Sequence, residues 1–518
     1  MIDNRQRKII QTFFIVLCAI ALLGLSINQI KHNEENDIVS DISIKTNDDN
    51  LIVGWTKTHG SNISKISVDV KDEDGHLIGT YASKFNKGSI EINNLDFNKT
   101  YTVNVNAIYK DGSNKEITEE KYFFYSDSSL PDIPILNINT KSGDDPTASY
   151  VESPENLWGA TSYDNEYLKA TMIYSGFGKE IETKLKIRIR GNTSSYSDKK
   201  PYKLVLDNPL DLTNSGKEYS HSEWVLLNTG GTINNFLGET IANATGVEWV
   251  AHGIYVNLIL NGDYKGIYTL CEAVSQSDSR GLVNKDGVIF ENDAYFWNAD
   301  NMYFKLYNQI DQMGYTFKYP AVDSSEEQII FDVYEYMQHF VDLAVTDDDS
   351  TWEYADLDSF VSYMIAKDLT ANGDAGGTNI YYYINDFDSK DKSKRILKIG
   401  PLWDFDTVGD INMNGDRFLY NAYSSQHNEA FLPFVNNEEF VNAYWDKWKE
   451  LSNNVLDNIY ASLDELCLTQ GEAINQSRYL NSLRWSDGTY QTIEDEVGIA
   501  KDWLAKQVEF LNNEMRNR

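Results

Sequence analysis

Hydrophobic and polar positions divide the chain into three stretches with different periods. Between Ile9 and Ile30 there is no charged residue, a run of 22 positions, long enough for a helix to cross a hydrocarbon core about 30 Å thick. From about Asp37 to Ser128 the pattern becomes short alternating runs, "LIVGWTK", "KISVDVKDEDG", "SIEINNL", "TYTVNVNAIYKDG" and "KYFFYS". Alternation punctuated by frequent turn residues predicts an antiparallel β-sandwich. The prolines of "SSLPDIPIL" mark a boundary near Leu130, and the rest reads as one α+β unit, strand-rich first and helical last.

Within that unit "KLKIRIRG" alternates Leu185, Ile187 and Ile189 with basic residues, a half-buried strand, and "KPYKLVLD" is another. "NNFLGETIANATG" predicts a helix stopped by Gly246. "YVNLILNGDYKGIYTLCE" predicts two strands joined at Asn261-Gly262, a strong hairpin signal. "EEQIIFDVYEYMQHFVDLAV" and "DLDSFVSYMIAKDLTAN" have helical spacing, and "TNIYYYIND" and "RILKIGPLWDFD" flank the charged turn "FDSKDKSK" as a second hairpin. Long amphipathic helices such as "FVNAYWDKWKELSNNVLDNIYASLDEL" finish the chain.

Composition narrows the function classes. A net charge of -34 over 518 residues repels nucleic-acid phosphates and anionic lipid headgroups, so nucleic acid is not an expected partner. Three cysteines, one of them Cys18 in the apolar run, exclude a disulfide scaffold, and no zinc-type Cys/His spacing occurs. Arg5, Arg7 and Lys8 precede the apolar run, which favours a cytoplasmic N-terminus and an exported remainder. An uncleaved signal anchor is the expectation, with a cleaved signal peptide as the competing reading.

The second stretch resembles a fibronectin type III module. Trp55 matches the core tryptophan of an early strand, and "LDFNKTYTVNVNAIYKDG" matches the family's corner, with Leu95 before Tyr101 and Val103, Val105 and Ala107 pointing alternately inward. That resemblance implies a spacer or binding surface rather than a catalytic region.

The carboxylates of "IGPLWDFDTVGD" sit in a segment that otherwise favours burial, and a buried carboxylate needs a cation or hydrogen bonds. An antiparallel hairpin brings its outer ends together, so pairing of Asn379 to Ile384 with Arg395 to Ile399 makes "NGDAGGTN" meet "WDFD". Asp374, Asn379, Asp404 and Asp406 then converge as an all-oxygen donor set suited to Mg²⁺ or Mn²⁺, with Asp410 a surface residue beyond Gly409. Phosphoryl transfer is the leading chemistry for such a set. Asp374 and Asn379 have the D-x-x-x-x-N spacing of the protein-kinase catalytic loop. Cationic side chains for phosphates are offered by "IRIRGNTSSYSDKKPYKLVL", in which Arg190 and Asn192 end a strand and Lys199, Lys200 and Lys203 enter the next.

From about Pro134 to Leu466 the chain resembles the CotH family of atypical protein kinases, on the ordered segments "RIRGNTSS" with "KKPYKLVL", "EWVLLN", "FLGETIANATG", "VNLILNGDYKGIYTLCEAV", "LTANGDAGGTNIYYYI", "PLWDFDTVG" and "FLPFVNNEEFVNAYWDKWKEL". The resemblance implies a two-lobed kinase-like fold that transfers the ATP γ-phosphate to Ser or Thr hydroxyls of a protein. By it, Asp374 is the base and Lys200 the first choice for the nucleotide-phosphate lysine, with Lys203 its rival. Asn379, Asp404 and Asp406 hold Mg²⁺ or Mn²⁺, and Arg190, Asn192 and Glu272 lie at the nucleotide. The helix lacks the family's acidic and Arg-Asn start, leaving Glu239 as the candidate partner of the lysine. The expected organisation is a cytoplasmic N-terminus, anchor and stalk over 1–36, a fibronectin-like sandwich over 37–128 and a CotH-like kinase domain over 129–518, displayed on the outer side of the membrane. The alternative is a non-catalytic surface adhesin or envelope-organising protein on a kinase-like scaffold, and nucleotidyl transfer stays open beside phosphoryl transfer.

Overall fold

In a computed structural model, strands begin where alternation begins. The structure describes residues 39, 42–47, 49–56, 62–126, 129–152, 160–163, 166–277, 279–298, 303–307, 313–322, 327–370, 379–388, 391, 394–405, 408, 434, 437–485 and 491–517. The apolar run of residues 9–30 lies outside them, and no helix among the described residues is long and apolar enough to cross a membrane. The chain divides into two compact units, Met1–Ser129 with Gly262–Tyr264, and Leu130–Asn261 with Lys265–Arg518.

In the first unit, β1 (Ser43–Asn47), β2 (Asn50–Gly54) and β5 (Ser89–Ile92) form one sheet. The other has the order β4-β3-β6-β7, from β3 (Ile63–Lys71), β4 (Leu77–Lys84), β6 (Lys99–Tyr109) and β7 (Asn114–Phe124). The alternating apolar residues face a common core, in which Trp55, Leu95, Tyr101, Val103, Val105 and Ala107 are all buried. Polar tips in that core keep partners: the Trp55 indole donates to the Phe85 carbonyl at 2.8 Å. The Tyr101 hydroxyl donates to the Asp96 carbonyl at 3.1 Å and accepts the Asp96 N–H at 3.0 Å. This is the corner contact expected of a fibronectin type III module.

The second unit is mixed α+β with two cores. Seven strands close a barrel in the order β11-β12-β13-β14-β16-β15-β8, using β8 (Ile135–Thr140), β11 (Leu168–Gly176), β12 (Lys179–Ile189), β13 (Tyr202–Leu210), β14 (His221–Leu227), β15 (Gly253–Leu260) and β16 (Asp263–Glu272). A short pair, β9 (Ser149–Glu152) and β10 (Ala160–Tyr163), lies in the β8–β11 connection. The predicted inward residues Leu185, Ile187 and Ile189 are buried in the barrel beside Leu204, Trp224 and Leu258. Closure itself was not legible, because the parallel pairing of β8 with β15 joins residues more than a hundred positions apart.

The second core belongs to a five-stranded sheet of order β18-β19-β17-β20-β21 and to the helices. Its strands are β17 (Val288–Asp293), β18 (Tyr303–Phe304), β19 (Gly314–Tyr319), β20 (Ile380–Ile384) and β21 (Lys398–Ile399). The helices are α1 (Asn234–Thr245), α2 (Glu327–Val345), α3 (Leu357–Thr370), α4 (Glu438–Leu451), α5 (Val455–Trp485) and α6 (Ile493–Arg516). Gly246 ends α1 in the left-handed conformation, with φ 82°. The final amphipathic stretch is broken between Leu451 and Val455 into α4 and α5. A small apolar cluster joins the two cores: Val225 and Cys271 of the barrel pack with Ile289, Tyr381 and Tyr383 of the sheet and with Trp403.

Candidate functional site

The barrel supplies one wall of the site. Strand β12 ends at Ile189, and the chain turns through Arg190, Gly191 and Asn192 into a single helical turn, Thr193–Tyr196. Gly191 has φ 86°, and a Cβ there would lie 2.3 Å from the Ser194 hydroxyl, so only glycine fits this turn. The turn is tied by the Ser195 hydroxyl, which donates to the Asn192 carbonyl at 2.6 Å.

The opposite wall comes from the predicted hairpin. Strands β20 and β21 pair antiparallel, Tyr382 with Ile399 and Tyr383 with Lys398, and this sets Asn379 before the first strand beside Asp404 after the second. The Asn379 carboxamide donates to Asp404 Oδ2 at 3.2 Å. Both residues adopt positive φ, 62° in each case, a conformation that Asn and Asp tolerate better than other non-glycine residues. Phe405, the next residue, packs against α1 at Gly238, where a Cβ would fall 2.2 Å from the ring. The apolar part of "WDFD" is thereby anchored on both sides, by Trp403 in the joining cluster and by Phe405 on the helix.

A cavity of about 700 Å³ lies between these walls, lined by Arg190, Asn192, Thr193 and Ser194 on one side and Asn379, Trp403 and Asp404 on the other. The Arg190 guanidinium stands 6.0 Å from the centre of the Trp403 ring. Its charge is felt by Tyr381 and Cys271: burial disfavours ionisation of both and raises their pKa, and Arg190 partly offsets this. Arg190, Asn192, Asn379 and Asp404 are therefore brought together.

Other expected site residues are placed elsewhere. The Lys200 ammonium donates to the Ser195 carbonyl at 2.9 Å and does not line the cavity, so it braces the turn. Lys203 forms an ion pair with Glu223 at 2.7 Å and is also absent from the lining. Lys199 is buried, with its ammonium 2.7 Å from Asn481 Oδ1 and 4.4 Å from the Tyr268 ring centre. Glu272 is fully buried behind the cavity wall, accepting the His252 N–H at 3.0 Å, with Arg280 3.5 Å away; burial pushes its carboxyl up to about 7. Glu239 does line the cavity, but it is paired with His252 and not with a lysine. Asp374, Asp406 and Asp410 lie outside the described residues.

Two groupings were missed in the sequence. His252 lines the cavity with Glu239; burial opposes its charge, but the hydrogen bond to Glu239 together with the negative charges of Glu239 and Glu272 holds the imidazole above its ordinary value. Its Nε2 meets the Ser215 hydroxyl at 2.8 Å. Behind Asn379, Glu291 of β17 is buried and paired with Lys318 of β19 at 2.6 Å. Burial pushes the Glu291 carboxyl up, Lys318 partly opposing this; the Lys318 ammonium, which burial disfavours, is raised on balance by Glu291 and Asp293. A signal for Glu291 was present, since "VIFEND" sets a carboxylate in an apolar run just as "LWDFD" does.

The described donors near the hairpin are oxygens of a carboxylate and a carboxamide, a set that fits Mg²⁺ or Mn²⁺ and suits soft metals poorly. The cavity volume falls in the range of small-molecule sites, about 300–1,000 Å³. Among the described residues, three or more His, Cys, Asp or Glu groups within ligand distance occur at Asp72, Asp74 and His76 of the sandwich.

Comparison with known proteins gives the family of the chain. The model of the family described as CotH kinase protein matches residues 187–511, more than half of the chain, and the chain belongs to that family. No curated protein matches it. Among solved structures, it is similar to the central fibronectin-III array of RIM-binding protein, with 10% identity, 35% of this chain and 75% of that chain covered, and a TM-score of 0.14. For titin kinase and its flanking domains the values are 11%, 46%, 37% and 0.15. For the twitchin kinase region from C. elegans they are 12%, 90%, 76% and 0.17. TM-scores this low carry no argument about the fold, which rests on the topology above.

Proposed function

We propose that the chain is an atypical protein kinase that transfers the γ-phosphoryl group of ATP to Ser or Thr hydroxyls of a surface or coat protein, with its globular units exported and held at the membrane by the N-terminal apolar run. The observation that carries this reading is the hydrogen-bonded Asn379–Asp404 pair facing Arg190 across one cavity. Family membership supports the kinase class, and the acceptor and the location follow from the sequence resemblance and the charge pattern.

In this reading Asn379 and Asp404, with Asp406, hold Mg²⁺ or Mn²⁺ through oxygen. When bound, the cation supplies charge neutralisation at the β- and γ-phosphates of the substrate nucleotide. Arg190 adds a fixed positive charge from the opposite wall, oriented by the Trp403 face. Asn192 and the exposed part of its turn approach the phosphates through polar groups. Lys200 acts at one remove, holding that turn at the Ser195 carbonyl. Asp374 accepts the proton of the acceptor hydroxyl as its oxygen bonds to phosphorus and the bond to the ADP oxygen breaks.

Incubating the exported chain with γ-labelled ATP and Mn²⁺ or Mg²⁺, with a Ser- and Lys/Arg-rich peptide as acceptor, tests the reading. Label is expected on the peptide or on the chain itself, and not with Asp404→Asn or Asp374→Ala. Equal transfer by those variants refutes the assigned site. No transfer together with no nucleotide-dependent thermal stabilisation refutes the kinase reading in favour of a displayed scaffold, and intact-mass measurement of the product separates phosphoryl from nucleotidyl addition.

A further inference from the structure

The left-handed turn at Asn379 has a support that the hairpin does not provide. Glu291 lies on β17 opposite Tyr381 of β20 on one side and Thr316 of β19 on the other. From there its Oε1 accepts the Asn379 backbone N–H at 3.2 Å, while its Oε2 meets the Lys318 ammonium at 2.6 Å. Lys318 is also 3.9 Å from Asp293, whose Oδ2 accepts the Thr316 hydroxyl at 2.9 Å and whose Oδ1 accepts the Tyr295 N–H at 2.8 Å. Each carboxylate oxygen of Glu291 thus has one partner, one structural and one facing the hairpin end.

The sheet alone has no need of this carboxylate. The preceding residues Val288, Ile289 and Phe290 are apolar and buried, and a buried carboxylate in such a strand is destabilising unless compensated. Its second partner is the N–H of a residue with φ 62°, a conformation that persists in non-glycine residues where the surroundings fix it. From that conformation the Asn379 carboxamide reaches Asp404. Lys318 holds the carboxylate, the carboxylate holds the Asn379 backbone, and the backbone aims the side chain.

We infer that Glu291, fixed by Lys318, is a positioning residue of the cation site: it sets the Asn379 turn so that Asn379 and Asp404 present their oxygens together. This rests on the proposed metal role of Asn379 and Asp404. Glu291 itself does not touch the bound groups. Outer-shell residues of this kind typically change metal affinity by about 10–100-fold when substituted.

The experiment is a Mn²⁺ titration of the exported chain, read by loss of the electron paramagnetic resonance signal of free Mn²⁺ in the presence of a non-hydrolysable ATP analogue. It is run on wild type, Glu291→Gln, Glu291→Leu, Asn379→Ala and the Glu291→Gln/Asn379→Ala double variant. Glu291→Leu is expected to weaken Mn²⁺ binding about 10–100-fold. Glu291→Gln keeps the shape, but its NH₂ cannot accept a hydrogen bond as the lost oxygen did, so a smaller loss of about 3–10-fold is expected. The double variant is expected to bind no worse than Asn379→Ala alone, because Glu291 acts through Asn379.

Additive losses in the double variant, or unchanged Mn²⁺ affinity in folded Glu291→Gln, overturn the inference and leave Glu291 a structural ion pair. If Glu291→Leu does not fold, the isosteric variant and its double variant decide. If Asn379→Ala binds Mn²⁺ as wild type does, the metal assignment under the proposed function fails, and this inference fails with it. If Asn379→Ala weakens binding and the Glu291 variants do not, only this inference fails.

Discussion

The sandwich and the larger unit deal with charge in opposite ways. Among the described residues, the sandwich buries no Asp, Glu, Lys or Arg side chain, whereas the larger unit buries eight: Lys199, Lys265, Glu272, Glu291, Lys367, Asp368, Arg478 and Glu496. Burying a charge is costly unless it is paired and hydrogen-bonded. A module that only has to fold can leave its charges at the surface, as the sandwich does. The larger unit carries that cost in several places, and two of them, Glu272 and Glu291, stand directly behind the cavity walls. Others are fold contacts: Arg478 pairs with Glu496, which also accepts the Ile233 N–H at 3.0 Å at the start of α1.

The sharpest way to break this contrast is to separate chemistry from stability. Asp404→Asn is expected to lower phosphoryl transfer on the order of 10³-fold with little change in thermal unfolding. In the sandwich the outcome should reverse: Trp55→Ala, which empties a buried site and deletes the bond to Phe85, should cost about 3–5 kcal/mol of sandwich stability. Transfer by the larger unit, assayed below the sandwich transition, should be unchanged. Loss of transfer in Trp55→Ala at that temperature would show that the two units are not functionally separable.

The next effect is pH-dependent. Burial raises the Glu272 carboxyl from 4.5 to about 7 in the folded chain. Between these values the folded state keeps a proton that the unfolded state releases, so this group makes stability fall as pH rises through that window. The full difference is about 3 kcal/mol, since each unit is about 1.4 kcal/mol. Glu272→Gln should flatten the profile, and denaturant unfolding at pH 5 and pH 8 checks it. A profile of the same slope in the variant would show that another group carries the dependence. The smallest expected effect is at Lys203, whose ion pair with Glu223 is partly exposed. Lys203→Ala should cost about 0–1 kcal/mol and leave transfer within about threefold, and a loss near that of Asp404→Asn would reinstate Lys203 as a phosphate ligand.

How much of the site was legible followed from how local its signals were. The hairpin argument needed only two strands and a turn, and Asn379 and Asp404 do meet, 25 positions apart in sequence. The sandwich corner was legible for the same reason, Asp96 and Tyr101 being five residues apart. The cation on the opposite wall was less so, because Arg190, Lys199, Lys200 and Lys203 are indistinguishable by spacing and are sorted only by the partners that the folded chain gives each of them. Glu223 takes Lys203, the Ser195 carbonyl takes Lys200, and Asn481 takes Lys199. Glu291 is 88 positions from Asn379, and nothing local connects them.

Lys199 has a consequence for the order in which the protein can be completed. Its acceptor Asn481 lies 282 residues later, on α5, where Ser477 also takes the carboxamide of the barrel residue Asn257. As the chain emerges from the ribosome, the strand that follows the Arg190 turn is present long before the helix that secures it. The Lys199 ammonium can meet the Asn481 side chain only once α5 has been made, whereas the Arg190 turn is tied within itself through Ser195 and Lys200. A nascent chain that has not yet reached α5 therefore lacks Asn481 and also Leu466 and Gln470, which line the cavity.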